Sequence, residues 1–190
     1  MIPNVTVPEG TRGDWTVERF EIPDNVFRLH YRERAPLPGT YTRLKHAKQG
    51  LVMSDTSAEK RDHMAFVRHA HAHCLMNGLG LGMCLGAILL KENVTKVTVV
   101  EIDKDLIDLV GPHYDDPRVE IVHADAFTYK SGRDLVYGAV WHDIWPDLCL
   151  DNLPQMHTLT RRYARRAAWQ GSWGREWLER QRERERMREW

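Results

Sequence analysis

No stretch of this 190-residue sequence approaches the roughly 20 consecutive apolar residues that a bilayer-spanning helix needs, so no membrane role is expected. The opening MIPNVTVPEG has neither the basic nor the apolar region of a secretory leader, and a cytoplasmic location is the expectation. Cysteine is scarce. Cys74, Cys84 and Cys149 form no CxxC pair and are odd in number, which argues against a disulfide framework and suits thiols in a reducing compartment. Net charge is also absent: 27 basic residues balance 27 acidic ones, so the molecule as a whole carries no electrostatic signal for nucleic acid. There is no internal repeat, and only RQRERERMRE is low in complexity.

What is present reads as one globular domain with appendages, 42% apolar and 28% charged. Residues 1–50 hold Pro3, Pro8, Pro23, Pro36 and Pro38 and short alternating stretches such as WTVERFEI and NVFRLHY, which predict β-hairpins. The run from Ser57 to His71 lacks glycine and proline and predicts a helix, with Ser54 or Asp55 as its N-cap. Residues 51–147 then alternate strand and helix. CLMN enters a glycine turn, MCLGAILLKEN has a helix's length, and VTKVTVVEID is a β-branched run of the kind covered on both faces. DKDLIDLV gives another helix, while RVEIVHAD and LVYGAVWHDIW supply the third and fourth strands. That alternation implies an α/β fold with a Rossmann-like parallel sheet and right-handed crossovers. Residues 148–190 read as two helices without a strand between them, so the sheet is expected to be truncated on its C-terminal side.

In such a sheet a ligand sits at the carboxyl ends of the strands, where glycines let main chain approach it. Asn77, Gly78, Leu79, Gly80 and Gly82 stand at that point. Glu101, followed by Ile102, closes the second strand and can accept hydrogen bonds from both hydroxyls of a ribose. Asp125, Ala126 and Phe127 end the third strand, where a carboxylate could meet an adenine amino group. Trp141, His142, Asp143 and Trp145 end the fourth and bring an acid, an imidazole and two indoles to the expected chemical centre. His63 is a further candidate near the mouth. Each acid also has a plainer reading: Glu101 as a solvated strand end, Asp103 as a helix cap, Asp125 as a turn carboxylate, Asp143 as the cap of a helix near Pro146. The glycine turn alone also serves nicotinamide and flavin cofactors. Met83 and Leu85, however, stand where a dinucleotide fingerprint needs a small residue.

The segments NGLGLGMCLGAIL, VTVVEID, DPRVEIVHADAF and AVWHDIWPD, in this order and spacing, resemble class I S-adenosylmethionine-dependent methyltransferases, most closely their spermidine-synthase-like branch. The resemblance covers about half the chain, from near Gly50 to Pro146. It implies an S-adenosylmethionine cofactor held by Asn77, Gly78, Leu79, Gly80, Gly82, Glu101, Ile102, Asp125 and Ala126. It further implies an Asp143 that positions or deprotonates an attacking amine and places His63 at the matching histidine. Beside them, the residue types themselves make His142 a candidate for catalytic acid-base work, and Trp141 and Trp145 candidates for contact with a cationic acceptor. The expected activity is methyl transfer to a small-molecule or amine acceptor. The alternatives are aminopropyl transfer, or a non-catalytic cofactor-binding module that engages a nucleic acid or protein. The aminopropyltransferase pattern has an acid in its glycine loop; NGLGLG has none, and Asp62 and Met64 replace the tyrosine and glutamate that flank the matching histidine.

His63, His69, His71, His73 and Cys74 invite a metal site, but they straddle a helix-to-strand junction that sends alternate residues to different surroundings, so no metal is expected. The basic run Arg161, Arg162, Arg165 and Arg166 is the candidate contact for nucleic acid. Beyond it, Arg175 to Arg188 alternate with Glu176, Glu179, Glu183 and Glu185, as on a solvated helix laced with ion pairs. Trp169, Trp173 and Trp177 fall four apart, predicting one helical face and a homo-oligomer surface.

Overall fold

A computed structural model describes residues 1–24, 36–132 and 134–188. NVFRLHY, expected as a strand, lies outside the described residues, as does Trp190.

Two sheets build the molecule. The first is antiparallel in the order β1-β2-β3-β4, made of β1 (Gly10–Arg12), β2 (Trp15–Ile22), β3 (Gly39–His46) and β4 (Gly50–Ser54). WTVERFEI is β2 itself and pairs with β3 along its whole length, so the expected hairpin architecture stands. β4 carries this sheet to Ser54, past the boundary expected at residue 50. Asp55 ties the N-terminus to it, its two carboxylate oxygens accepting the Val5 and Thr42 N–H groups at 2.7 Å each.

Helix α1 (Ser57–His69) leads into the second sheet, made of β5 (Ala72–Asn77), β6 (Val94–Glu101), β7 (Val119–His123), β8 (Tyr137–His142) and β9 (Ala167–Ser172). Its N-cap is Thr56, not Ser54 or Asp55. All pairings in this sheet are parallel, in the order β7-β6-β5-β8-β9. Helix α2 (Met83–Leu89) joins β5 to β6 and α3 (Lys104–Val110) joins β6 towards β7, each crossing between adjacent parallel strands as the strand spacing requires. The strand order reverses between β5 and β8. This is the switch point at which open α/β sheets bind ligands.

The sheet extends one strand further than the sequence indicates. Residues 148–190 form α4 (Asn152–Tyr163), β9 and α5 (Arg175–Arg188), so a strand does lie between the two helices, and it hydrogen-bonds to β8. Trp169 therefore sits on a strand, Trp173 just beyond it and Trp177 on α5; the three share no helical face. Trp169 instead stacks on His69 (centroids 4.6 Å apart) and on Phe66 and Trp141, tying β9 to α1 and β8. In the basic run, Arg162 donates to the carbonyls of Phe127 and Tyr129, and Arg166 to those of Leu135 and Gly132. These guanidiniums fasten α4 to the segment ahead of β8.

One core fills the face of the parallel sheet toward α1, α2 and the first sheet, around Phe66, Leu85, Val97, Val99 and Trp141. A smaller one on the opposite face holds Leu75, Val100, Tyr137, Val140 and Tyr163. Strands covered on both sides must be apolar throughout, which is why β6 and β8 read as continuous β-branched and aromatic runs. Among the described residues no helix is long and apolar enough to cross a membrane.

Candidate functional site

β5 and β8 leave the sheet side by side, and the chain just beyond them touches. Asp143 N–H donates to the Asn77 carbonyl at 2.9 Å, and Gly78 N–H to that of Val100 at 2.8 Å. Gly78 has φ +100°, and a Cβ built there would lie 2.1 Å from the carbonyl oxygen of Asp143. Glycine is thus required at this position both for its backbone conformation and for the approach of the neighbouring strand. Gly80, with φ +52°, similarly makes room for the Met53 sulfur, which accepts the Leu81 N–H at 3.1 Å.

Glu101, at the end of β6, is buried, and burial raises its carboxyl pKa against hydrogen bonds that pull it down. Its two oxygens accept the N–H groups of Leu79 and Asp103, each at 2.9 Å. This fixes the glycine turn to the acid. A carboxylate has about four acceptor positions, so two amide bonds leave room for hydroxyls. Asp103 caps α3 by accepting from Asp105 and Leu106, the plainer role the sequence suggested for it. Asp125 accepts the Phe127 N–H at 2.8 Å as a turn carboxylate. Asp143 does not cap a helix near Pro146: α4 begins at Asn152 with Asp151 as its N-cap.

These strand ends open on a cavity of about 620 Å³, within the usual range for small-molecule sites. Its floor is Gly78, Leu79, Gly80 and the ends of β6 and β7 at Glu101, Ile102, Asp125 and Ala126. Asp143, Trp141, Trp145 and His63 also line it, as do Trp15, His46 and Met53 of the first sheet.

His63, on α1, is fully enclosed. Its Nε2 lies 2.8 Å from Asp143 Oδ2 and its Nδ1 2.8 Å from the Glu59 carbonyl. Burial alone would depress the imidazole; the Asp143 carboxylate outweighs it, and the net shift is upward. The Trp141 ring meets the imidazole edge-on at 5.7 Å. Glu59, one helical turn before His63, also lines the cavity; burial pushes its carboxyl up to about 7, against hydrogen bonding from Ser54.

Three expected site residues lie elsewhere. Alternate residues of a strand face opposite ways, so Asn77 and His142 point away from Met76, Gly78, Trp141 and Asp143. They meet each other instead, Asn77 Nδ2 donating to His142 Nδ1 at 2.7 Å, with His142 against Tyr163 on the far face of the sheet. Burial pushes the His142 imidazole down to about 4, which leaves it neutral and remote from the cavity. Gly82 begins α2, and a Cβ there would strike the Tyr114 ring at 2.2 Å; its role is to admit Tyr114, whose hydroxyl donates to the Leu81 carbonyl. Glu59 and Met53 were not anticipated. Glu59 had a signal, four residues before His63 and so on the same helical face. Met53 had none, because nothing in the sequence ties the first sheet to the glycine turn. Of the histidine cluster, His69 stacks on Trp169 and His73 bonds Thr98 Oγ1 at 2.9 Å.

Five parallel strands in this order, with a glycine turn after β5 and an acid ending β6, make a Rossmann-like α/β sheet. Among curated proteins the chain is similar to polyamine aminopropyltransferase 1 of Streptomyces coelicolor, 32% identical over 120 residues, 56% of this chain and 21% of that protein. It is likewise similar to polyamine aminopropyltransferase 2 of Pseudomonas aeruginosa, 30% identical over 128 residues, 60% of this chain and 36% of that protein. The match thus spans well under half the length of either relative. No family model matches. Similar solved structures include the N-methyltransferase NodS from Bradyrhizobium japonicum, with TM-score 0.46, 14% identity and coverage of 58% of this chain and 62% of that one. Another is spermidine synthase from Thermotoga maritima, with TM-score 0.37, 22% identity and coverage of 53% and 43%.

Proposed function

We propose that this chain is a transferase that takes an adenosylsulfonium donor, S-adenosylmethionine or its decarboxylated form, and passes an alkyl group from it to an amine. The observation that carries this reading is the convergence of the Gly78 turn, the Glu101 carboxylate and the Asp143–His63 pair on one cavity. The residues fit such a donor: Glu101 for ribose hydroxyls, Asp125 and the main chain near Ala126 for adenine, apolar Met76 and Leu79 for the remaining surface. When bound, the donor would supply a carbon activated by positive sulfur; the lone pair of an uncharged amine would make a C–N bond as the C–S bond breaks and its electrons return to sulfur, and the proton released from the alkylated nitrogen would pass to solvent. The protein's part is chiefly alignment. Asp143 orients the amine through its N–H groups, and the Trp141 face favours a cationic neighbour.

The named activity of the two curated relatives favours aminopropyl transfer. Methyl transfer is the second reading, favoured by the absence of a carboxylate in NGLGLG that could pair with the ammonium of an aminopropyl donor. Calorimetric titration with S-adenosylmethionine, its decarboxylated form, adenosylhomocysteine, methylthioadenosine and NAD tests both. Tightest binding of the decarboxylated and methylthio compounds supports aminopropyl transfer; that of adenosylmethionine and adenosylhomocysteine supports methyl transfer. Preference for NAD, or no nucleoside binding, overturns the proposal.

A further inference from the structure

The hydrogen bonding of His63 fixes the charge at the reacting end of the cavity. The Glu59 carbonyl can only accept, so His63 Nδ1 carries a hydrogen. Nε2 faces the Asp143 carboxylate at 2.8 Å. With Asp143 ionised, that nitrogen carries a hydrogen too, and the ring is an imidazolium. The pair, with its imidazole buried and its carboxylate partly exposed, then has no net charge, and one Asp143 oxygen is committed to the ring. An ammonium group arriving there finds no counter-charge in Asp143 alone. Glu101, at the end of β6, already has both oxygens on main-chain N–H groups and is the carboxylate assigned above to the donor's ribose.

We infer that Glu59 is the specificity-determining carboxylate for the acceptor, supplying the charge that draws a cationic amine toward Asp143, where it gives up a proton to solvent before its lone pair attacks. This rests on the amine-transferase reading above and gives a role to a residue that the sequence reading did not single out. Glu59 lines the same cavity as His63, Trp141 and Asp143, one helical turn from His63, and is close enough for the His63 and Asp143 charges to act on its carboxyl. The groups acting on Glu59 are Ser54 from the end of β4, His63 from its own helix and Asp143 from beyond β8. Cys84 of α2, which also senses Asp143, is buried and stays a thiol. Burial puts the Glu59 carboxyl near 7, so it becomes an anion as pH rises through neutrality, and amine affinity should rise with it.

The experiment is calorimetric binding of 1,4-diaminobutane to the full chain saturated with methylthioadenosine, from pH 6 to 8.5, for the wild type and Glu59→Gln. Gln keeps a carbonyl that can accept the Ser54 N–H. The wild type should bind the diamine more tightly as pH rises through about 7. Glu59→Gln should bind it about tenfold or more weakly at pH 8 and lose the step near neutrality, with methylthioadenosine affinity unchanged. A variant that binds the diamine as the wild type does, with the same pH profile, overturns the inference. So does a wild type that binds no diamine, or one whose affinity is flat across neutrality. The donor reading is judged separately by methylthioadenosine binding, so the two can fail independently.

Discussion

At the scale of single residues, the cavity is made at the expense of stability, and Glu59 shows how. The folded chain raises its carboxyl from the ordinary 4.5 to about 7 because burial disfavours the anion. Between those values the folded state holds more protons than the unfolded one, so stability falls as pH rises through that window. Glu59→Gln should therefore leave stability unchanged near pH 4 and raise it at pH 8 by on the order of 1–3 kcal/mol, read by urea unfolding at the two pH values. A residue retained only to cap α1 would give the opposite sign at pH 8. His63 is likewise raised, so its pair with Asp143 stabilises the fold at low pH and loses that contribution as pH climbs through the folded-state value. In Asp143→Asn, burial acts on the imidazole without the opposing carboxylate. The His63 titration followed by NMR should then move below the ordinary 6.5, and an unmoved value would remove Asp143 as the cause of the upward shift. Gly78→Ala is the steric counterpart: with its Cβ 2.1 Å from the Asp143 carbonyl, it should lower stability by about 3 kcal/mol or more and displace Asp143.

At the scale of elements, legibility in the sequence followed how each element is stabilised. β6 and β8 are covered on both faces, so burial itself writes a continuous apolar, β-branched run, and VTKVTVVE and YGAVWH were readable. α5 was readable from its lack of glycine and its i,i+4 charges, one pair of which, Arg175–Glu179, forms at 2.9 Å. β9 was not. AAWQGS has no β-branched residue, and its extended state comes from pairing with β8 and from the stack of Trp169 on His69, Phe66 and Trp141. The spacing of four between tryptophans imitated a helical face that does not exist. The same alternation across strands explains the cavity lining: Glu101 and Asp143, at strand ends, line it, whereas Asn77 and His142 face the other side of the sheet and bond each other. If the aromatic stack is what holds β9, Trp169→Ala should destabilise the fold by about 2–3 kcal/mol, measured by denaturant titration. A loss under about 0.5 kcal/mol would show that main-chain pairing with β8 suffices.

At the scale of the whole molecule, the cavity belongs to neither sheet alone. The parallel sheet brings the glycine turn and the three strand-end acids, while the antiparallel sheet brings Trp15, His46 and Met53 to the same lining. The two are joined by Arg12 of β1, which pairs with Asp108 at 2.7 Å and Asp105 at 3.5 Å on α3, and by the Met53 sulfur on the Leu81 N–H. The Arg12 pairs are well exposed, and a thioether is a weak acceptor, so these polar ties add only modestly to the apolar core that Val17 and Leu44 of the first sheet share with Leu85 and Val97. A nucleoside seated on Glu101 and under Met53 would bridge both sheets and stabilise whichever openings separate them. Methylthioadenosine should therefore slow amide hydrogen exchange not only at residues 78–82 but also along β4, more than 20 residues earlier in the chain. Protection confined to the parallel sheet would mean that the ligand does not reach the antiparallel one, and the first sheet would then be a neighbour of the site and not its lid. Met53→Ala sharpens the distinction: with the sulfur gone, the shared protection should shrink at β4 while persisting at Leu79, whose N–H is held by Glu101 independently of the first sheet.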